Sequence, residues 1–194
     1  MSSFSRMTDD YLRSLYIPHV YQHDIYAIDY QRLRDAGITL LTFDIDDTIA
    51  TWLAADPPKT AKTLMEYLKG MGFRVVLLTN SKDVRGSHFS QALGVSCVAQ
   101  AEKPLTANFQ RIQARFGVEK SQMAHIGNSQ TSDVAGGRAF GITTCMVRAV
   151  WRVMETGNPL MKSEGRKLRE ELLARGLWRK HHKAVSGDQY YQLG

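Results

Sequence analysis

The amino-acid sequence predicts an α/β fold, a doubly wound and mainly parallel sheet with helical N- and C-terminal extensions. Two observations predict it: short apolar runs bounded by turn residues recur along the chain, and they alternate with segments of helical periodicity. The chain has 194 residues, 43% of them hydrophobic, which is enough for one buried core. We expect an extension over residues 1–30 that packs on the core, a core over residues 31–150, and a basic helical extension over residues 151–194.

Five apolar runs are short enough for buried strands and are bounded by turn residues. They are Leu40–Phe43, Arg74–Leu78, residues 97–99, residues 123–126 and Thr143–Val147. The segments between them carry apolar residues at helical spacing. The predicted helices cover residues 60–71, a stretch that opens at Pro104, residues 132–140, and residues 160–175. Because strands and helices alternate, we predict a sheet of five mainly parallel strands.

Composition narrows the class of protein. The net charge of +6 and the pI of about 9.4 favour anionic partners, and residues 162–183 hold eight Lys or Arg against three Glu. Cys97 and Cys145 lack the spacing of a zinc site or redox pair, which favours a reducing, cytoplasmic setting. No apolar run approaches the roughly 20 residues that span a bilayer, and the N-terminus does not resemble a signal peptide.

Two acidic residues follow the first apolar run, at the edge where open parallel sheets bind ligands. They are Asp44 and Asp46, separated by one residue. One carboxylate can attack phosphorus to form an acyl phosphate, and the other can serve as general acid and then general base. Taken alone, the pair is equally typical of a turn or a helix cap.

Polar residues follow three further runs. Thr79 and Asn80 offer a hydroxyl, an amide and backbone N–H groups to phosphate oxygens, although both residue types are also common helix caps. Lys103 precedes a predicted helix and can balance the charge of the nucleophile and the phosphoryl group. Asn128 and Asp133 carry oxygens that suit magnesium. The four sets together predict phosphoryl transfer.

The order of these residues resembles the haloacid dehalogenase superfamily, most specifically its capless class IIIA phosphatases of the YqeG-like and phosphatidylglycerophosphate phosphatase-like kind. The resemblance covers about residues 16–150. It implies a magnesium-dependent phosphatase that hydrolyses phosphate monoesters through an aspartyl-phosphate on Asp44, with Asp46 as acid and base. It also implies phosphate ligands and metal ligands. The phosphate ligands are Thr79, Asn80 and Lys103, and the magnesium ligands are Asp44, the Asp46 carbonyl, Asn128 and Asp133.

One residue departs from the family pattern, which has Gly-Asp where this chain has Gly127-Asn128. The amide oxygen is still a hard ligand for magnesium, but it brings no formal charge. We therefore expect an active enzyme with a raised magnesium requirement.

The spacing of the motifs leaves no room for a cap domain. Thirty residues separate Thr48 from Thr79, and twenty-three separate Thr79 from Lys103. An open site suits a phosphate on a bulky molecule, such as a lipid head group, a protein or a nucleic acid, or else closure by another subunit in an oligomer. The basic residues of 162–183 suit peripheral contact with an anionic membrane. We expect phosphatidylglycerophosphate as the substrate and a position at the inner face of the membrane.

Two alternatives stay open. The first keeps the catalysis but assigns it to nucleic acid ends or nucleotides, and the sequence shows no interleaving of aromatic and basic residues of the kind that stacks bases. The second treats Asn128 as the mark of a weakened site in a phospho-ligand binding or scaffold protein.

Overall fold

The structure, a computed structural model, describes residues 3–150 and 159–178. Within these ranges the strands are β1 (Val20–Gln22), β2 (Leu40–Phe43), β3 (Arg74–Leu78), β4 (Ser96–Val98), β5 (Met123–Gly127) and β6 (Thr143–Val147). The helices are α1 (Asp9–Tyr16), α2 (Tyr30–Asp35), α3 (Lys59–Gly70), α4 (Asp83–Leu93), α5 (Ala107–Phe116), α6 (Ala135–Phe140) and α7 (Pro159–Ala174). Shorter turns are two 3-10 helices (Ser3–Arg6 and Lys120–Gln122) and a π-helix (Gln130–Val134).

The strands form one sheet in the order β1-β6-β5-β2-β3-β4, and every neighbouring pair is parallel. Side chains of β2 alternate between two core clusters: Leu41 and Phe43 belong to one, and Leu40 belongs to the other. The sheet is therefore covered on both faces, which is why its central strands are apolar along most of their length.

The predicted fold class is confirmed, and the sheet is parallel throughout the described residues. Only residues 44–58 and residues 79–82 separate β2 and β3 from the helices that follow them, so neither connection holds an inserted domain. The prediction of five strands was one short. The sixth, β1, lies within the N-terminal extension and pairs with β6, and its three residues are too few to show an alternating pattern.

Two helical predictions were incomplete. Helix α4 was not predicted, because its polar sequence buries only Gly86, Phe89 and Leu93 and so carries little periodic signal. The helix predicted to open at Pro104 begins instead at Ala107. Pro104 lies in a turn closed by the Leu105 N–H, which donates to the Glu102 carbonyl at 2.9 Å. This turn presents Lys103 to the sheet edge.

The two terminal extensions pack on each other. A separate apolar cluster joins the first residues of the chain to α7 and the turn after it, and its buried members are Phe4, Leu12, Leu168, Leu172 and Leu177. Arg175 reinforces this contact by donating to the carbonyls of Ser5 and Met7 at 3.0 and 2.7 Å. Across the described ranges, no helix has the length and apolar character needed to cross a membrane. Part of the predicted basic surface, Arg179, Lys180 and Lys183, lies outside the described residues.

Candidate active site

Each predicted site residue lies at the carboxyl edge of the sheet. Asp44 follows β2, Thr79 and Asn80 follow β3, and Asn128 follows β5. Since β2 lies between β5 and β3, Asp44 is central, and its backbone N–H donates to the Ile126 carbonyl of β5 at 2.9 Å. Parallel register thus brings Asp44 and Asn128, which are 84 positions apart, to one edge.

Lys103 bridges two carboxylates at the centre of this edge. Its Nζ lies 2.7 Å from Asp44 Oδ1 and 2.5 Å from Asp133 Oδ1. All three residues are buried, with 5%, 7% and 2% of Lys103, Asp44 and Asp133 exposed. A buried ammonium is stabilised only when such partners compensate for its lost hydration. The bridge therefore fixes the nucleophile, the lysine and the last acid of the motif in one cluster.

The ionisation of the cluster follows from burial and from the shared lysine. Burial raises the pKa of Asp44 to about 7, an effect that Lys103 opposes and Asp133 reinforces. Burial also works against ionisation of Asp133, but Lys103 and His125 outweigh it and hold its pKa below the usual range. For Lys103, burial would lower the ammonium pKa, yet the two carboxylates raise it overall. Asp133 is thus the permanent counter-ion, and Asp44 is the acid whose charge responds to its surroundings.

Asn80 holds Lys103 in position. Its Nδ2 donates to the Lys103 carbonyl at 3.0 Å, and its Oδ1 accepts from the Lys103 backbone N–H at 2.8 Å. The hydroxyl of Thr79 accepts from the Ser81 N–H at 3.2 Å, which leaves its own proton available to another acceptor. The loop after β3 therefore both shapes the edge and anchors the loop after β4.

Asp133 is oriented by a turn of π-helix and by a buried histidine. Its Oδ2 accepts from the Ser129 N–H at 3.0 Å, and its Oδ1 lies 3.1 Å from His125 Nε2. Burial lowers the pKa of His125, and its Nδ1 lies 2.9 Å from the Thr42 hydroxyl. The protein supplies donors to both oxygens of Asp133.

Thr48 joins two further oxygens. Its hydroxyl lies 3.2 Å from Asp44 Oδ2 and 3.3 Å from Asn128 Oδ1, so both oxygens face the same point. In the described part of the chain, no group of three or more His, Cys, Asp or Glu residues could hold a metal. A cation here would depend on one carboxylate, Asp44, together with neutral oxygens of Asn128 and the Asp46 backbone. That mixture fits magnesium, which is bound through one or two carboxylates and retains several waters.

Asp46 has a different environment. Its Oδ1 accepts from Arg85 Nε at 2.7 Å, and its Oδ2 accepts from the Ser81 hydroxyl. The same guanidinium donates from Nη1 to the Ala54 carbonyl at 2.6 Å and from Nη2 to the Thr51 carbonyl at 2.9 Å. Residues 51–54 form a flap beside the site, and Arg85 joins this flap to Asp46.

A family model described as haloacid dehalogenase-like hydrolase matches residues 6–141, more than two thirds of the chain. The chain belongs to the haloacid dehalogenase-like hydrolases. The resemblance found in the sequence is thereby confirmed, and with it the expectation of a hydrolytic enzyme.

Relatives of this hydrolase are named as phosphatases. It is 27% identical over 139 residues to the probable phosphatase YqeG of Bacillus subtilis, covering 70% of this chain and 79% of that protein. It is also 27% identical over 172 residues to the chloroplastic phosphatidylglycerophosphate phosphatase 1 of Chlamydomonas reinhardtii, covering 84% of this chain and 63% of that protein. The chain spans less than two thirds of the algal relative's length. A hypothetical protein from Xanthomonas campestris shares the fold, with a TM-score of 0.51, 14% identity, and coverage of 80% of this chain and 93% of that one.

Several residues of this haloacid dehalogenase-like site were not predicted from sequence. Thr48 carried a signal, since it closes the Asp44-Ile45-Asp46-Asp47-Thr48 motif. His125 carried a weak one, as a polar residue inside an apolar run. Arg85 carried none, because its helix was not predicted. The predicted residues that the structure brings together are Asp44, Lys103, Asn128 and Asp133, with Thr79, Asn80 and Asp46 beside them.

Proposed function

We propose that the protein is a magnesium-dependent phosphatase that hydrolyses phosphate monoesters through a phosphoaspartate on Asp44. The observation that carries this proposal is the Lys103 bridge from Asp44 to Asp133 at the carboxyl edge of the sheet. A lysine beside a carboxylate nucleophile can offset the charge of an incoming phosphate, which would otherwise be repelled. The phosphatase names of the relatives support the same assignment.

In the first step an oxygen of Asp44 attacks phosphorus, while the bond from phosphorus to the leaving oxygen breaks. Asp46 supplies the proton that this oxygen takes up. In the second step Asp46 removes a proton from water, whose oxygen attacks phosphorus and releases the Asp44 carboxylate. Atoms and charges balance over the two steps, and the products are an alcohol and inorganic phosphate.

The remaining residues bind and orient. Thr79 retains a hydroxyl proton for a phosphate oxygen, and Lys103 provides the positive charge. Asn80 was predicted as a phosphate ligand, but we reassign it to positioning Lys103 because both ends of its amide bond that lysine's backbone. Asp44, the Asp46 carbonyl and Asn128 would hold magnesium. Asp133 would act chiefly through Lys103, since its oxygens already have protein donors. When bound, magnesium would offset the negative charge of the phosphate and its nucleophile.

The surface around the site supports a lipid substrate. Eight large apolar side chains are exposed among the described residues, and six of them follow strands on the carboxyl side of the sheet, five in loops and Val84 in the first turn of α4. These six, the apolar rim, are Tyr26, Trp52, Leu53, Val84, Leu105 and Val150. Clustered exposed apolar residues mark interaction surfaces, and Trp and Tyr are enriched at the head-group level of membranes. With two relatives named as phosphatidylglycerophosphate phosphatases, we propose that lipid as the substrate.

The basic extension has a smaller part in membrane contact than its sequence suggests. Arg166, Lys167 and Arg169 are exposed on α7 and suit an anionic surface. Arg175 is excluded, because it is committed to Asp9, Glu171 and the carbonyls of the N-terminal residues. We therefore propose that the apolar rim makes the main contact.

Phosphate release tests the function. We expect wild type with magnesium to release phosphate from phosphatidylglycerophosphate in vesicles, and Asp44→Asn to lose activity by at least about 1,000-fold because no acyl phosphate forms. Acid quenching should trap phosphate on wild type but not on Asp44→Asn. Trp52→Ala/Leu53→Ala should lose more activity on vesicles than on 4-nitrophenyl phosphate, and Tyr67→Ala, an exposed residue outside the rim, is the matched control.

The outcomes separate substrate from chemistry. Equal activity of wild type and Asp44→Asn would contradict the whole proposal. Activity restricted to nucleotides or nucleic acid ends would keep the chemistry and overturn the lipid assignment.

A further inference from the structure

Arg85 has a set of contacts that the proposed chemistry does not use. It lies in the first turn of α4, and its guanidinium is arranged so that all three nitrogens donate: Nε to Asp46 and the two Nη atoms to the Thr51 and Ala54 carbonyls. The guanidinium carbon also lies 4.5 Å from the centre of the Phe89 ring. A planar group with a hydrogen bond from each nitrogen and one face covered has little freedom to rotate.

The Asp46 carboxylate is held from two sides. Arg85 binds Oδ1 and the Ser81 hydroxyl binds Oδ2, so neither oxygen can turn without breaking a hydrogen bond. The Arg85 and Asp46 side chains remain 21% and 29% exposed, so water and a substrate can still reach a carboxylate whose orientation is fixed.

We propose that Arg85 is a positioning residue that orients Asp46 for proton transfer and joins it to the flap of residues 51–54. The inference rests on the proposed function, because it assigns Arg85 to the acid and base of that reaction. One side chain thus ties the backbone of the flap to the proton donor. Arg85 itself touches neither phosphate nor leaving group.

A positioning role has a kinetic signature that a structural role lacks. Proton donation matters for an alkoxide leaving group, which is a strong base, and matters little for 4-nitrophenolate, which leaves without a proton. Loss of Asp46 orientation should therefore lower kcat/KM for an alkyl phosphate much more than for an aryl phosphate. The ratio kcat/KM is the appropriate quantity, since it reports the steps through the first phosphoryl transfer.

The experiment compares 2-phenylethyl phosphate with 4-nitrophenyl phosphate. For Arg85→Gln we expect kcat/KM to fall about 100-fold on the alkyl substrate and less than about fivefold on the aryl substrate. Arg85→Lys keeps the charge but reaches fewer partners, so its loss should be intermediate. If Arg85→Gln folds poorly, Arg85→Lys provides the same comparison between the two substrates. Arg111→Gln, an exposed arginine on α5, is the matched control and should change neither value.

A second comparison uses Asp46→Asn, which removes the proton donor. Adding Arg85→Gln to Asp46→Asn should cause no further loss on the alkyl substrate if arginine acts through the aspartate. Equal losses on both substrates, or losses that multiply in the double variant, would overturn the inference and leave the proposed function intact. Wild-type inactivity on both substrates would instead overturn the proposed function.

Discussion

At the scale of single residues, position 128 carries a neutral amide where the family pattern has a carboxylate. Asp44 and Asp133 share the Lys103 ammonium, and the oxygen beside Asp44 that faces the Thr48 hydroxyl belongs to the neutral Asn128. Without a cation this arrangement is nearly balanced, because two carboxylates meet one ammonium and Asp44 has a raised pKa. A carboxylate at position 128 would disturb the balance and would also bind a divalent cation more tightly.

The first prediction concerns Asn128→Asp. We expect the variant to have a lower free energy of unfolding than wild type in EDTA, because a second carboxylate faces Asp44. We also expect it to gain more stability from magnesium and to need about tenfold less magnesium for half-maximal activity. Thermal unfolding with and without magnesium measures the first effects, and a magnesium titration of activity measures the last.

The control for this change is Gln110→Glu, an amide-to-acid substitution at an exposed position of α5. It should leave the magnesium response unchanged. Equal half-saturation and equal magnesium stabilisation in wild type and Asn128→Asp would show that residue 128 does not contact the cation.

At the scale of elements, the strands of the site were predicted, whereas the conformation of its turns was not. The apolar runs of β2, β3 and β5 identified the residues that follow them, so Asp44, Thr79 and Asn128 were found from sequence. The π-helix that brings Asp133 back to Lys103 left no periodic signal, since it interrupts the 3.6-residue repeat. Helix α4 was missed for the reason that its buried face is narrow, and Arg85 was missed with it.

The position of Asp133 beside Lys103 depends on Gly127 at the end of β5. A Cβ at this position would overlap the Cβ and Cγ of Asp133. We expect Gly127→Ala to lower the free energy of unfolding by about 2 kcal/mol and to reduce activity, because Asp133 must shift away from Lys103. Urea unfolding and phosphatase assays measure the two effects.

Gly165→Ala is the comparison for this substitution. Gly165 lies within α7 with no atom within 4 Å of an added Cβ, so alanine should stabilise the helix by up to about 1 kcal/mol. If Gly127→Ala behaved in the same way, the close packing of β5 against Asp133 would not be required.

At the scale of the whole molecule, the N-terminal segment is part of the sheet and of its covering. Arg138 of α6 donates from Nε to the Ser14 carbonyl at 2.6 Å, its Nη1 lies 2.5 Å from His19 Nε2, and the Thr144 N–H donates to His19 Nδ1 at 3.0 Å. Sequence reasoning predicted that this segment packs on the core but could not find its strand, because β1 is short and its partner is distant in the chain.

His19 makes this junction dependent on pH. Burial and the nearby Arg138 lower its pKa to about 4, whereas an unfolded histidine titrates near its ordinary value of about 6.5. Between these values the unfolded state binds a proton that the folded state does not, so the contribution of His19 to stability is lost as pH falls. We expect the stability advantage of wild type over His19→Gln to narrow as pH falls from about 6.5 to about 4, as measured by urea unfolding.

His88→Gln provides the control for removing an exposed imidazole. The test compares wild type with His19→Gln and does not use wild type alone. The raised pKa of Asp44 also makes the stability of wild type depend on pH, with the opposite sign to His19. An advantage that stays constant across this window would show that His19 is not neutral in the fold.

The pairing of β1 with β6 determines when β1 can join the sheet during synthesis of the chain. The residues at this junction, His19 and Thr144, are separated by 125 positions, while β2 and β3 are near neighbours in sequence. Among the described strands, β1 is made before the others on the ribosome but is the last to acquire its neighbour, because β6 is made last. A nascent chain halted before Thr143–Val147 would contain β2, β3 and β5, which carry the site residues, while β1 would still lack the strand with which it pairs.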